Sequence, residues 1–133
     1  MSEGHQVPMR WRDLDGLGHV NHTVVLTYLE EGRDAFLKSR GIGRDEYVVG
    51  RCEVEYIGEI DPAFGSVTVE CAVSGLGTKS VSTNERIVDP EGVAVVEARF
   101  GLVLWDPERR ASRAITESER AALAGAGEEA VTP

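Results

Sequence analysis

Apolar residues recur along this chain with two periods, and the change of period separates one helical stretch from several strands. Val25, Leu29, Gly32 and Phe36 fall at i, i+4, i+7 and i+11, a single stripe on a helix. Asn21 just ahead of the stripe is a good helix N-cap, and Gly41 and Gly43 beyond it close the helix. Glu30, Glu31, Arg33 and Asp34 are assigned to its solvated surface. Upstream, residues 7–13 mix Val, Met and Trp with arginines and read as a first strand. Asp15-Gly16-Leu17-Gly18 then breaks all periodicity and marks a tight loop into the helix.

After the helix the period becomes two. Cys52, Val54 and Tyr56 alternate with charged neighbours, and Val67, Val69, Cys71 and Val73 alternate with Ser, Thr and Glu. A Ser-, Thr- and Val-rich run over residues 78–88 follows, and Asp89-Pro90-Glu91-Gly92 turns the chain into the longest strand. There Ala94, Val96, Ala98, Phe100, Leu102 and Leu104 share one face. Short connections make these strands neighbours in an antiparallel meander. Thr116, with Glu119 three residues on, opens a short last helix, and residues 125–133 read as a frayed tail. A lone helix with one continuous apolar stripe must lie across a face of the sheet, so the 133 residues form one α+β domain.

Charge narrows the classes of partner. Lys plus Arg number 14 against 23 Asp plus Glu, a net charge of -9, and the densest basic cluster is only Arg109, Arg110 and Arg113. That balance excludes nucleic-acid binding by phosphate neutralisation. No run reaches the ~18 apolar residues of a membrane span, and the first eight residues have no apolar core of a secretory signal. Cys52 and Cys71 sit in strand-like runs without a C-x-x-C pair and read as free, buried thiols of a reducing compartment.

The unusual chemistry gathers between Asp13 and Arg33. Asp13, Asp15, His19, Asn21 and His22 crowd a glycine loop that runs into a helix N-terminus. Unpaired amides there can hold an anion or a developing negative charge, and an adjacent carboxylate stays ionised. Aspartates in turns also simply satisfy loop amides, and spacing alone leaves both readings open. His19 and His22 lack a third His or Cys ligand nearby, so no metal is expected. There is no Gly-x-Ser-x-Gly elbow, and neither Gly-x-Gly pair has the setting of a dinucleotide fingerprint.

The run Arg10-Trp-Arg-Asp-Leu-Asp-Gly-Leu-Gly-His-Val-Asn-His-Thr, followed by Tyr28-Leu-Glu-Glu-Gly-Arg33, resembles the signature of hotdog-fold acyl-CoA thioesterases. It is most similar to the 4-hydroxybenzoyl-CoA thioesterase-like branch, and later segments (Gly65-Ser-Val-Thr-Val, Gly77-Thr-Lys-Ser80, Trp105-Asp106) extend the likeness along nearly the whole chain. The resemblance implies an antiparallel sheet of about five strands wrapped around one long helix. It implies hydrolysis of acyl-CoA to free acid and coenzyme A in the cytoplasm, without cofactor or metal, by a homodimer or homotetramer with interfacial sites.

The second aspartate of the motif, here Asp15, is the implied catalytic carboxylate, as nucleophile or general base. Amides around His22 would polarise the thioester carbonyl, and His19 and Asn21 match positions that shape the loop, with Gly18 beside the substrate. Lys79 and Ser80 fall where the family meets the nucleotide and pantetheine portions of coenzyme A; Arg86, Arg99, Arg109 and Arg110 are further options. Glu30 or Glu31 is the reserve carboxylate. The chain departs from the family in carrying His22 where a second Asn is common, and in having few aromatics for an aryl substrate. An acyl-carrier-protein thioesterase, a hydratase on the same fold and a non-enzymatic acyl-CoA-binding module are the alternatives.

Overall fold

The computed structural model describes residues 4–15, 18 and 20–125. His19 and all but the first residue of the expected frayed tail lie outside them. Six strands and two α-helices follow in the order β1 (His5–Pro8), α1 (His22–Lys38), β2 (Tyr47–Tyr56), β3 (Ser66–Leu76), β4 (Ser80–Val88), β5 (Ala94–Asp106), β6 (Ala111–Ser112) and α2 (Glu117–Ala124). All pairings are antiparallel, the sheet order is β1-β3-β4-β5-β2, and β6 pairs with the end of β5. This is the curled sheet around a long helix expected of the hotdog fold.

Two strand expectations are corrected. The first strand is shorter and earlier than residues 7–13: β1 ends at Pro8, and Trp11–Asp13 forms a 3-10 turn. Pro8 has no amide to extend the ladder, and the Asp13 carboxylate instead accepts the Arg10 amide at 2.9 Å, which curls the chain. The meander holds for β3, β4 and β5, but β2 pairs with β5 at the far edge rather than with β3. The segment after Tyr56 therefore crosses from one side of the sheet to the other.

Helix α1 starts and stops where the pattern places it. The Asn21 side chain accepts the Thr23 amide at 2.9 Å, and Ile42 donates its amide back to Leu37 at 2.9 Å as the chain turns through Gly41. Its packed face is wider than the apolar stripe: Val25, Tyr28, Leu29, Gly32, Arg33 and Leu37 are all buried, against β1, β3 and β4. Arg33, expected on the solvated surface, is only 2% exposed. Its guanidinium donates to both Glu85 oxygens, at 2.8 and 3.2 Å, and lies 3.8 Å from the Phe100 ring centre. Glu85 reaches it from β4, so the charge is buried because its partner is buried with it.

The helix does not cover β2. Cys52 is exposed, contrary to the expectation of two buried thiols, because β2 is an edge strand outside the shelter of α1; Cys71 on β3 is buried. No described helix is long and apolar enough to cross a membrane. At α2 the Thr116–Glu119 capping box forms in both directions, and Glu119 also takes two bonds at 2.8 Å from Arg113.

At Gly32 the helix backbone lies close against the sheet: a methyl group there would overlap the Val69 side chain of β3. Gly32→Ala is therefore expected to destabilise by about 1–3 kcal/mol, overriding the ~1 kcal/mol that alanine normally adds within a helix. A lower denaturant midpoint at unchanged m is the expected reading. An equal or higher midpoint would mean that α1 is not pressed onto β3.

Candidate active site

The loop between the Trp11–Asp13 turn and α1 is closed at its neck. The Asn21 amide donates to the Asp13 carbonyl at 3.1 Å, and Leu14 and Val20 form an isolated antiparallel bridge just inside it. The Asp13 side chain is buried and anchors the neck to the helix: Tyr28 donates its hydroxyl at 2.6 Å, and Arg10 donates its amide at 2.9 Å and Nε at 3.4 Å. Burial alone would raise the Asp13 pKa, but the Tyr28 hydroxyl and the Arg10 amide and charge outweigh it and hold the carboxyl below its ordinary value. For Tyr28, burial and the Asp13 carboxylate act together and push the phenol well up, so it stays protonated as a donor. Arg10 also reaches Glu31 at 2.8 Å, which commits the reserve carboxylate Glu31 to an ion pair; Glu30 is exposed.

Inside the neck, Asp15 stands exposed and its carbonyl accepts the Gly18 amide at 3.1 Å. Gly18 has φ +80, a left-handed turn that a side chain would strain. Asn21 satisfies two amides of the first helical turn, accepting from Thr23 through its side chain and from Val24 through its carbonyl at 2.9 Å each. The amide of His22 has no hydrogen-bond partner among the described residues. A helix N-terminus with one open N–H beside a carboxylate-bearing loop can hold a carbonyl oxygen as charge develops on it.

A cleft of about 400 Å³ adjoins this point, lined by Val20, His22, Val25, Tyr56, Ile60 and Val96 with Gly58 and Glu59 at its side. The structure thus brings Asp15, Gly18, Asn21 and His22 into one loop and helix end. It does not bring Lys79 and Ser80 there within a chain. Lys79 sits in the β3–β4 turn, donates to Ser112 at 3.4 Å, and accepts the Leu104 amide through its carbonyl. Val96 at the cleft and Leu104 beside Lys79 are eight residues apart on β5, roughly 27 Å. Among the arginine options, Arg86 is paired with Glu70 and Arg99 with Glu53 at 3.9 Å, while Arg109 and Arg110 are exposed.

The pattern of the chain overlooked Tyr28 and Tyr56. Tyr28 falls three residues after Val25, on the helix stripe, and that spacing was the available signal. Buried Cys71 is no nucleophile, since burial and the nearby Glu85 charge both push its thiol up. Among the described residues, no three His, Cys, Asp or Glu side chains converge on a point that could hold a metal ion.

A carboxylate held below its ordinary value stabilises the fold above the unfolded value near ~4, and that contribution is lost as pH falls through the lowered one. Tyr28→Phe removes the shortest donor to Asp13. It is expected to cost about 1–3 kcal/mol at neutral pH and to begin acid unfolding at higher pH than in the parent. Coincident acid limbs in a pH-dependent unfolding series would remove Asp13 from the anchorage of the loop.

Comparison with known proteins meets this geometry. Residues 9–123 match the thioesterase-like superfamily. The chloroplastic acyl-acyl carrier protein thioesterase ATL3 of Arabidopsis thaliana is 33% identical over 115 residues, an alignment covering 79% of this chain and 60% of that protein. The chain thus spans less than two thirds of that relative. A thioesterase from Thermus thermophilus, solved in complex with coenzyme A and Zn, superposes with a TM-score of 0.81 at 27% identity, over 92% of this chain and 91% of that one. A predicted thioesterase from Bacillus stearothermophilus gives 0.81 at 26% identity, over 93% and 95%. The chain belongs to the thioesterase-like superfamily.

Proposed function

We propose that the protein hydrolyses acyl-CoA thioesters to free acid and coenzyme A, with Asp15 as the catalytic carboxylate and the His22 amide polarising the carbonyl. The observation that carries this reading is the open His22 N–H at the start of α1, beside an apolar cleft and directly after the loop that holds Asp15. A thioester needs little acid assistance, because the thiolate is a good leaving group. Asp15 either attacks the carbonyl carbon, expelling the thiolate as a mixed anhydride that water then cleaves, or takes a proton from the water that attacks. Both routes put negative charge on the same oxygen, where the helix amide serves it. His19 and Asn21 keep the role of shaping the loop, and Gly18 that of lining the approach.

The likeness to an acyl-acyl carrier protein thioesterase favours a second reading, in which the same residues act on a thioester presented by a carrier protein. Giving the enzyme both substrates with a thiol reagent separates the two, and absence of thiol release from either would point to a hydratase or a binding module. Asp15→Asn keeps size and polarity but can neither attack nor accept a proton. It is expected to leave less than about a tenth of parental turnover while acyl-CoA still binds. A higher residue of activity would return Asp15 to loop architecture and make Glu30 or Glu31 the candidate.

A homodimer or larger assembly belongs to the same proposal. Strand β2 is ten residues long, contains no proline, and presents an unpaired edge with Val48 and Val49 exposed. Such an edge pairs readily with another strand, and pairing with a second copy closes it. Trp11, 90% exposed beside the site, is a further apolar surface for that partner to cover. Lys79 and Ser80 are assigned to coenzyme A by the family resemblance, in the turn between β3 and β4. Both cysteines are free, with Cys52 exposed, which suits the cytoplasm. Light scattering at low micromolar concentration should give at least twice the 14.4 kDa chain mass. A fully active monomer would overturn both the assembly and the interfacial site.

A further inference from the structure

The cleft beside the His22 amide combines an aliphatic floor with a single acid at its side. Val25, Ile60 and Val96 are buried, and their side chains make the floor apolar. Among the described residues that line the cleft, Glu59 is the one acid, and there is no lysine or arginine. Glu59 is kept at that place because the residues on either side of it are fastened. The amides of Ile57 and Gly58 both donate to the Val95 carbonyl, at 2.9 and 3.0 Å, and the Ile60 side chain is packed into the core. The next acid along the chain, Asp61, is committed elsewhere: its side chain accepts the Ala63 amide at 2.9 Å and caps the 3-10 turn of Pro62–Phe64.

We infer that Glu59 is a specificity-determining residue: its negative charge bars acyl groups that end in a carboxylate and reserves the cleft for uncharged ones. The inference rests on the proposed site, in that the acyl group occupies this cleft. It does not depend on the direction in which the chain lies there. A space of about 400 Å³ is only about 7 Å across, inside the ~8 Å Debye length of physiological ionic strength, so a charge held anywhere in it feels Glu59. A carboxylate entering the cleft gives up water for a floor that offers it no hydrogen bond, and it meets a like charge with no lysine or arginine to offset either cost. An uncharged alkyl group meets neither cost and gains by burial against the same floor. Selection in this cleft comes from repulsion of the wrong group as well as from fit to the right one.

The test compares two acyl groups of one shape and different charge, glutaryl and 5-methylhexanoyl, whose isopropyl end copies the outline of a carboxylate. Two ratios are read on the intact protein: kcat/KM for glutaryl-CoA over 5-methylhexanoyl-CoA, and affinity for the corresponding S-alkyl-CoA thioethers, which cannot be hydrolysed. The parent should favour the uncharged member in both. Glu59→Gln is expected to raise the glutaryl share about three- to ten-fold, the effect of removing one charge at roughly 6 Å in a partly wet cleft. Glu59→Lys should raise it further. The inference is overturned if Glu59→Gln leaves both ratios where they were, or if the parent favours the charged member. It is also overturned if Glu59→Lys gains no more than Glu59→Gln, since size or hydrogen bonding and not charge would then be at work. Thioether ratios that shift as expected without turnover of any acyl-CoA would sink the proposed hydrolysis and leave the selection by charge standing. Turnover with unshifted ratios would do the reverse.

Discussion

The buried pair between Arg33 and Glu85 is the constraint around which the rest of this small domain is arranged. A single helix on a single sheet has few ways to fix its rotation and axial position, because aliphatic contacts tolerate sliding. Here a guanidinium on α1 must meet a carboxylate on β4 with two bonds, while its flat face rests on Phe100. Thr83 adds a third bond to the carboxylate at 2.7 Å. Any slip of the helix strands two desolvated charges, which costs several kcal/mol even when the pair itself adds little net stability. Burial alone would lower the Arg33 pKa, but Glu85 more than reverses it, so the charge is secure at all ordinary pH. Tyr47 hydrogen-bonds Asp34 at 2.6 Å and ties the start of β2 to the next residue of the helix.

Helix position then fixes the site. Tyr28 lies a little over one turn before Arg33, and its hydroxyl can reach Asp13 only if the helix is seated as it is. Asp13 holds the neck of the loop, the neck sets where Asn21 caps the helix, and the cap leaves the His22 amide open. The chain of dependence runs from core electrostatics, through one phenol, to the group proposed to polarise the substrate. The off-centre seating of α1 over β1, β3 and β4 also leaves the β2 side uncovered, and the cleft opens between the helix end and that side.

Local patterns were legible in the sequence to the extent that local physics determined them. Strict alternation gave β3 and β5, Asn21 gave the helix start, and Thr116 with Glu119 gave the last cap. The Asp13-x-Asp15 motif by itself singles out the loop. What escaped depends on partners far away in the chain. Arg33 looks like a surface charge until Glu85, 52 residues on, is brought beside it. The edge position of β2 follows from pairing with β5, which no short-range signal announces. Tyr56 becomes a cleft wall only because His22, 34 residues earlier, comes across to it. Residues 7–13 misled because their composition suited a strand while Pro8 and the Asp13 bond to Arg10 favoured a turn.

The closed neck of the loop has a consequence for how such a protein can change. The Asn21 amide on the Asp13 carbonyl and the Leu14–Val20 bridge fasten both stems to elements that are themselves fixed by the core. The described residues of the tip between them, Asp15 and Gly18, are both exposed. Inserting or exchanging residues at such a tip alters closure entropy only slowly with length and leaves the stems in register. Chemistry and folding are thereby uncoupled at this point. A lineage can rewrite the tip by drift or recombination while the helix, the sheet and the cleft are inherited unaltered.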